Sequence, residues 1–210
     1  GSSLKNFYFS FVEMYSKKRF GQNFLTDKKI LEDLVRLIKI SFEDKVLEIG
    51  PGKGDLSENI INCCNSYYAV EIDRDLFNIL KTKFPKNKRS FINADILKLK
   101  PREIMPDDNF RLVGNIPYNI SSPILDWCEK NYEKISDMHF MLQKEFALRC
   151  SGNENTSSYG RLSVICKYLY EVEVLKEVSK VFFNPEPKVD SLFVRFYPKY
   201  EKINEKEFQN

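Results

Sequence analysis

KVLEIGPGKGDLS, residues 45–57, is a short apolar run that leads directly into a turn containing Gly50, Gly52 and Gly54. Glycines let the backbone turn tightly and approach a ligand closely, and a helix after such a turn presents its N-terminus to an anion. A dinucleotide fingerprint, G-x-G-x-x-G, would require a glycine where this chain has Asp55. The stretch therefore predicts the first strand of an α/β sheet with a ligand at its end, and it disfavours a nicotinamide dehydrogenase.

Short apolar runs alternate with amphipathic stretches along the rest of the chain. We interpret seven of these runs as strands: KVLEIG, SYYAVEI, RSFINAD, FRLVGN, MHFMLQ, YLYEVEVL and SLFVRFY. Helical patterns lie between them, for example at residues 28–40 and 74–84. Strands separated by helices predict right-handed crossovers and a mostly parallel sheet. Because the last two strands follow each other without a clear helix, we expect an antiparallel hairpin at one edge.

Composition limits the class of protein. The 210 residues are 42% hydrophobic and 14% aromatic, which is typical of a globular domain. We expect no membrane span, because no apolar run reaches the roughly 18 residues that one requires. The five cysteines lack C-x-x-C spacing, which indicates a reducing compartment and favours the cytoplasm. With His139 as the only histidine, we expect neither a metal site nor Ser-His or Cys-His catalysis.

Acidic side chains end the second and third predicted strands. Glu71 lies where a carboxylate can accept hydrogen bonds from both hydroxyls of a ribose. Asp95 could accept a hydrogen bond from the exocyclic amine of an adenine. A single acid at a strand end is more often only a helix N-cap. Carboxylates on consecutive strands instead describe a pocket for adenosine with a small charged group, and S-adenosylmethionine fits that description. We assign Ile72 and Ile96, which follow the two acids, to the same pocket.

The fourth strand runs into Asn115, Ile116, Pro117 and Tyr118, an unusual sequence for the end of a buried strand. The Asn115 amide oxygen and the Ile116 carbonyl could both accept hydrogen bonds from a substrate amino group. Pro117 stiffens the turn, and Tyr118 offers a flat face on which a base can stack. An equally weighted alternative is a turn in which Asn115 caps the next helix and Tyr118 fills a core edge.

Taken together, these motifs resemble those of the N6-adenine rRNA methyltransferases, specifically the small-subunit dimethyladenosine transferases. The resemblance extends from about residue 17 to 198 and depends on the order of KKRFGQNFL, LEIGPGKGDLS, VEID, NADIL, NIPY, LQKEFALR, SSYGRLSV and FFNPEPKVDS. It implies a Rossmann-like class I methyltransferase domain at 17–198, preceded by an arm (1–16) that begins with a cloning remnant. Small-subunit members carry a helical C-terminal domain; here a charged tail (199–210) follows, so we expect that domain to be missing.

The resemblance also implies roles for individual residues. Asn23 and Leu25 would close over S-adenosylmethionine, and Gly50 would meet its methionine end. Asn115 would lie between the cofactor and the target base, and Phe183 would be a second aromatic side chain opposite Tyr118. Without the family, Phe183 would be interpreted as a core residue before a rigid turn. The candidates for RNA contact are Lys144, Arg149, Arg161 and Lys188, together with the basic arm residues Lys17, Lys18 and Arg19.

The implied activity is methylation of N6 on two adjacent adenosines near the 3′ end of small-subunit (16S-type) rRNA. The expected partner is this rRNA or a pre-30S-type particle, and we expect the enzyme to act as a monomer in ribosome biogenesis. Two alternatives stay open. One is a 23S rRNA adenine methyltransferase of the macrolide-resistance type, which shares nearly every cofactor motif. The other is a non-catalytic nucleic-acid-binding protein on the same fold.

Overall fold

The computed structural model describes residues 21–152 and 160–200. In chain order its strands are β1 (Phe24–Leu25), β2 (Lys45–Ile49), β3 (Ser66–Glu71), β4 (Phe91–Asn93), β5 (Phe110–Asn115), β6 (Ile135–Gln143), β7 (Tyr170–Val178), β8 (Phe183–Asn184) and β9 (Ser191–Pro198). Its helices are α1 (Lys28–Ile38), α2 (Asp55–Ile60), α3 (Arg74–Lys83), α4 (Ser121–Lys130), α5 (Lys144–Cys150) and α6 (Arg161–Leu169).

Seven strands form one sheet in the order β4-β3-β2-β5-β6-β9-β7. The first five are mutually parallel, whereas β9 runs antiparallel to β6, and β7 runs antiparallel to β9. This topology confirms the predicted α/β fold, with its mostly parallel seven-stranded sheet and an antiparallel edge. The last strand in the chain inserts between β6 and β7, so that β7 forms the edge.

Helices cover both faces of the sheet because neighbouring strand residues point in opposite directions. On one face, Val46 and Val113 pack in a core that includes the buried residues of α1. On the other face, Leu47 and Leu112 pack in a second core with Trp127 and its neighbours on α4. The central strands are therefore buried on both sides, and the polar groups at their ends lie at the two edges of these cores.

A separate two-stranded sheet pairs β1 with β8 in antiparallel register, Leu25 opposite Phe183 and Phe24 opposite Asn184. The sequence did not predict it, because two-residue strands carry no readable alternation. The pairing ties the segment before α1 to the segment before β9. It thereby brings two stretches that are distant in sequence to the same place beside the main sheet.

Two arginines hold the amino ends of the central strands against the end of α1. Arg111 donates to both carboxylate oxygens of Asp137, at 2.9 and 3.0 Å, and also to Asp44 and to the backbone carbonyls of Ile38 and Lys39. Cationic donors are well matched to the unpaired carbonyls at a helix C-terminus. The arginine in β9, Arg195, acts in the same way: it donates to the carbonyl of Leu37 and to Nε2 of His139.

Four expectations from the sequence concern membrane spans, metal sites, cysteines and the two ends of the chain. No helix in the described ranges is both long and apolar enough to cross a membrane. In those same ranges, no cluster of three or more histidine, cysteine or acidic side chains is arranged to hold a metal ion. All five cysteines are unpaired. Lys17, Lys18 and Arg19 lie outside the described residues, as do the arm at 1–16 and all but the first two residues of the tail.

We expect Arg111→Met to lower the free energy of unfolding by about 3 kcal/mol, because it leaves the largely buried Asp137 carboxylate without its partner. Urea denaturation of the two proteins measures the difference. Arg36→Met is the matched control: the Arg36 side chain is 71% exposed and pairs with Asp33, so its loss should change the value by less than about 0.5 kcal/mol. Equal losses in both variants would contradict the role of Arg111.

Candidate active site

The carboxyl ends of four neighbouring parallel strands meet at one edge of the sheet. Gly50 follows β2, Glu71 ends β3, Asp95 lies two residues beyond β4, and Asn115 ends β5. These strands are adjacent in the order β4-β3-β2-β5. In open α/β sheets this edge is where ligands bind. The structure thus gathers the side chains that the sequence had singled out at separate strand ends.

Two cavities open at this edge. The first, which we call the carboxylate cavity, is lined by Glu71, Ile72, Asp95 and Ile96 among others. The second, the amide cavity, has a wall that includes the predicted residues Asn23, Leu25, Gly52, Asn115, Ile116, Tyr118 and Phe183. Gln22, Gly50 and Pro117 line both cavities. A ligand that occupies both would therefore pass these three residues.

Glu71 is the most deeply buried group of the carboxylate cavity. Its Oε1 accepts from the Gly52 amide and its Oε2 from the Asp73 amide, each at 2.9 Å. Burial raises the pKa of Glu71 to about 7, because the two amide donors offset only part of the cost of removing the charge from water. Asp95 lines the same cavity and also accepts from the amide of Leu97 at 3.0 Å. It is therefore an N-cap that also lines the cavity, and its contact with an adenine amine stays a prediction.

The first two glycines of the turn after β2 have different surroundings. Gly50 has φ +63°, and no atom lies within 4 Å of the place that a side chain would occupy. The space beside it is open to both cavities, as close approach of a ligand requires. Gly52 has φ +60°, and a Cβ there would lie 2.9 Å from the ring of Phe24. Gly52 therefore shapes the site through its packing against Phe24 and through the hydrogen bond that its backbone amide donates to Glu71.

The Asn115 side chain is held in one orientation within the amide cavity. Its Nδ2 donates to the backbone carbonyl of Asn23 at 2.8 Å, which leaves its oxygen as the acceptor. The backbone amide of Ile116 donates to Met141 at 3.2 Å. Helix α4 has no side-chain N-cap, and Tyr118 is 54% exposed. The alternative, in which Asn115 caps the helix and Tyr118 fills a core edge, is therefore wrong.

Phe183 differs from Tyr118 in its burial, although both line the amide cavity. It lies on β8 and is only 4% exposed, packed in the same core as Leu25 and Phe193. The core interpretation of Phe183 is thus correct, yet one side of the residue still borders the cavity. One aromatic ring is exposed at the rim and the other is fixed by the core behind it.

The predicted RNA-contact residues are distributed over the surface and differ in exposure. Lys144 is exposed and forms an ion pair with Glu177 at 2.7 Å. Arg161, at the start of α6, and Lys188 are exposed. Arg149 is half-buried: its guanidinium lies 5.6 Å from the Phe146 ring centroid and its Nε is buried. Arg149 is therefore less available to a phosphate than the sequence suggested.

Two cavity residues escaped the sequence analysis. Glu48 is buried in β2 beside the amide cavity, where it accepts from Tyr67 at 2.6 Å and from Ser57 at 2.7 Å; burial raises its pKa to about 7. An acid inside an apolar strand was the available signal. Gln22 is 7% exposed, and its Oε1 is buried without a hydrogen-bond partner in the described structure. A polar residue ahead of a helix carries no such signal.

Known proteins resemble this chain in sequence and in fold. Residues 14–210 match the family model described as ribosomal RNA adenine dimethylase. The ribosomal RNA small subunit methyltransferase A of Legionella pneumophila is 44% identical over 92% of this chain and 77% of its own length. The protein of the same name from Saccharophagus degradans is 45% identical over 87% of this chain and 69% of its own length.

Two solved structures are similar as well. A dimethyladenosine transferase from Plasmodium falciparum has a TM-score of 0.74 at 30% identity, covering 85% of this chain and 64% of the other. The 23S rRNA methyltransferase ErmE has a TM-score of 0.73 at 33% identity, covering 84% and 70%. With a family match over nearly its whole length and relatives this similar, the chain belongs to the ribosomal RNA adenine dimethylase family.

Proposed function

We propose that this protein transfers methyl groups from S-adenosylmethionine to N6 of two adjacent adenosines near the 3′ end of small-subunit rRNA. One geometric observation carries the proposal. The Asn23 carbonyl holds the Asn115 amide nitrogen, so that the amide oxygen is an acceptor in a cavity that Tyr118 and Phe183 also line. The proposed place of action is the cytoplasm, during ribosome biogenesis, and the unpaired cysteines are consistent with it.

The carboxylate cavity fits the adenosine half of the cofactor. Glu71 would accept from the ribose hydroxyls and Asp95 from the adenine amine, with Ile72 and Ile96 against the base. The open space beside Gly50 admits the link to the methionine half, which Asn23 and Leu25 would cover. When bound, S-adenosylmethionine supplies a methyl group on a positively charged sulfur.

The amide cavity would make the target amine a better nucleophile. The N6 lone pair of adenosine is conjugated with the ring, so the amine is a poor nucleophile. Two acceptors, the Asn115 oxygen and the Ile116 carbonyl, would hold its two hydrogens and favour a pyramidal nitrogen whose lone pair points at the methyl group. No carboxylate base is required, since the nitrogen becomes acidic only after attack and loses its proton to water. Positioning of this kind contributes about 7–11 kcal/mol in favourable cases.

The target adenosine must leave its stack, which costs a few kcal/mol. Tyr118, exposed at the rim, and Phe183, fixed by the core, would return roughly 1–3 kcal/mol through stacking. The exposed cations Lys144, Arg161 and Lys188 are the proposed phosphate contacts, with a lesser share for Arg149. The specificity of the site would come from the two acceptors, because a base without an exocyclic amine cannot satisfy them.

The curated relatives support the small subunit as substrate. Two of them, both named ribosomal RNA small subunit methyltransferase A, are 44% and 45% identical to this chain over 92% and 87% of its length. The intact geometry of Asn115, Glu71 and Asp95 supports an active enzyme over a non-catalytic binding protein. Methyl transfer to small-subunit particles, measured beside transfer to naked 23S rRNA, tests the choice: preferential labelling of the 23S rRNA would overturn it.

We expect Asn115→Ala to abolish methyl transfer while cofactor affinity stays within about tenfold, because the variant removes an acceptor for the target amine. Calorimetry with S-adenosylhomocysteine and a methylation assay separate the two quantities. Asn109→Ala is the matched control, since this exposed asparagine lies just before the other end of β5. Turnover that persists in Asn115→Ala would remove the residue from the mechanism.

We expect Tyr118→Ala to reduce kcat/KM for RNA by about tenfold or more, through the loss of stacking, with little change in Tm or cofactor affinity. Tyr197→Ala, at a similarly exposed tyrosine on β9, should leave all three unchanged. Phe183→Ala should reduce activity too, but it also costs about 3 kcal/mol of stability because the ring is buried. Equal losses of cofactor affinity and RNA activity in Tyr118→Ala would refute the stacking role.

Cofactor binding should depend on pH through Glu71. Its pKa of about 7 keeps much of the carboxyl protonated below neutrality, whereas the ribose hydroxyls need the ionised form as acceptor. Affinity for S-adenosylhomocysteine should therefore rise by about tenfold from pH 6 to pH 8. Glu71→Gln should weaken binding and abolish this dependence. Glu48→Gln should retain the pH dependence, because Glu48 Oε1 already accepts hydrogen bonds from the hydroxyls of Tyr67 and Ser57. A flat profile in the unmodified protein would contradict the assignment.

A further inference from the structure

Three large apolar side chains are exposed in the two chain segments that border the amide cavity. Val181 is 63% exposed, Phe182 42% and Val189 41%. Val181 and Phe182 directly precede Phe183, and Val189 lies two residues after Pro187; Phe183 and Pro187 both line the cavity. We call the three exposed side chains the apolar rim. Single apolar residues on a surface are ordinary, whereas a group of them marks a site of interaction.

A hydrogen bond holds the two halves of the apolar rim together. The backbone amide of Lys180, just before Val181, donates to Oδ1 of Asp190, just after Val189, at 2.9 Å. The carbonyl of Asp190 accepts in turn from the amide of Lys144, at the start of α5, at 3.0 Å. Both segments are thus fixed before any partner arrives, and a fixed surface loses little conformational freedom on binding.

The neighbours of the apolar rim favour RNA as its partner. The rim continues from Phe183, which lines the cavity proposed for the target base. Lys188, one of the proposed phosphate contacts, is exposed directly before Val189. Aromatic side chains beside cations suit a nucleic acid, because bases stack on the rings while the cations pair with phosphates.

Spacing along the two chains identifies the base that the rim can reach. Consecutive Cα atoms are about 3.8 Å apart, and consecutive stacked bases are about 3.4 Å apart along one strand. A nucleotide next to one held at Phe183 therefore comes within reach of the ring of Phe182. In the proposed reaction that neighbour is an adenosine, and it loses a stacking partner when the target leaves the stack.

We propose that the second of the two adjacent adenosines stacks on Phe182 while the first occupies the amide cavity, with Val181 and Val189 extending the contact. This inference rests on the proposed function, because it takes the pair of adenosines from it. An apolar side chain that replaces the lost neighbour offsets part of the cost of unstacking. Phe182 is thus a substrate contact beyond the residues that line the cavity, and it favours a target with a base beside it.

A two-by-two comparison of affinities tests the contact, with S-adenosylhomocysteine present. Small-subunit particles are assembled with a synthetic 3′ segment of rRNA that carries both adenosines, or has either one replaced by an abasic nucleotide. Phe182→Ala should lower affinity for intact particles by about tenfold, as expected for one stacked base. The abasic nucleotide should weaken binding of the unmodified protein similarly. On abasic particles Phe182→Ala should change affinity by less than about twofold, because the remaining adenosine occupies the cavity and the rim has no base to lose.

Two further variants separate stacking from other effects. Phe182→Trp keeps an aromatic face, so its affinity for intact particles should stay within about twofold of the unmodified protein. Phe42→Ala is the matched control: Phe42 is 63% exposed and lies in the turn before β2, at the end of the sheet opposite the cavities, so particle affinity should not change. In Phe182→Ala, Tm and affinity for S-adenosylhomocysteine should stay the same, because the ring is exposed.

Three results would overturn the inference. Unchanged particle affinity in Phe182→Ala would remove the contact. Equal losses on intact and abasic particles would assign Phe182 to another part of the particle, such as a ribosomal protein. A lower Tm together with weaker binding of S-adenosylhomocysteine would show a structural role. If the unmodified protein methylates intact particles, any of these results disproves the inference alone; if it methylates no adenosine in them, the proposed function itself fails.

Discussion

The hydrogen bond between the Asn115 amide and the Asn23 carbonyl, 2.8 Å long, is the contact on which the site depends. It joins the end of β5 to the segment before α1, two stretches 92 residues apart in the chain. The same segment continues into β1, which pairs with β8 and so fixes Phe183. A single short segment thereby sets the orientation of the amide, the position of an aromatic wall and the junction between the two cavities.

Stability and binding are divided between the two ends of the sheet. At the amino ends, Arg111 donates to the Asp137 carboxylate and to a carbonyl of α1, and Arg195 donates to His139 and to another carbonyl of α1. At the carboxyl ends, Glu71 is buried with a raised pKa, Gln22 has an unpaired oxygen, and Gly50 borders open space. Buried polar groups of this kind are costly, and a binding site is where a fold tolerates the cost.

Prediction from sequence succeeded where a local pattern has a local cause. The strands of the sheet were recognised because buried parallel strands are short apolar runs between helices. The acids at 71 and 95 and the amide at 115 were found because each follows such a run. Boundaries were less accurate: β4 is only Phe91–Asn93, and α6 extends to Leu169, so β7 begins later than predicted. Tertiary packing, which the pattern does not contain, sets these ends.

The sequence by itself determined the α/β fold, the family and the set of strand-end residues from which a site could be built. Only the tertiary structure decided how those residues meet: that Asn115 turns its nitrogen to Asn23, that Phe183 belongs to the core while Tyr118 is exposed, and that Gln22 stands between two cavities. The physical reason is the separation along the chain over which each effect acts. Periodicity and turn chemistry act over a few residues, whereas hydrogen bonds and burial in the site join segments that only the folded chain brings together.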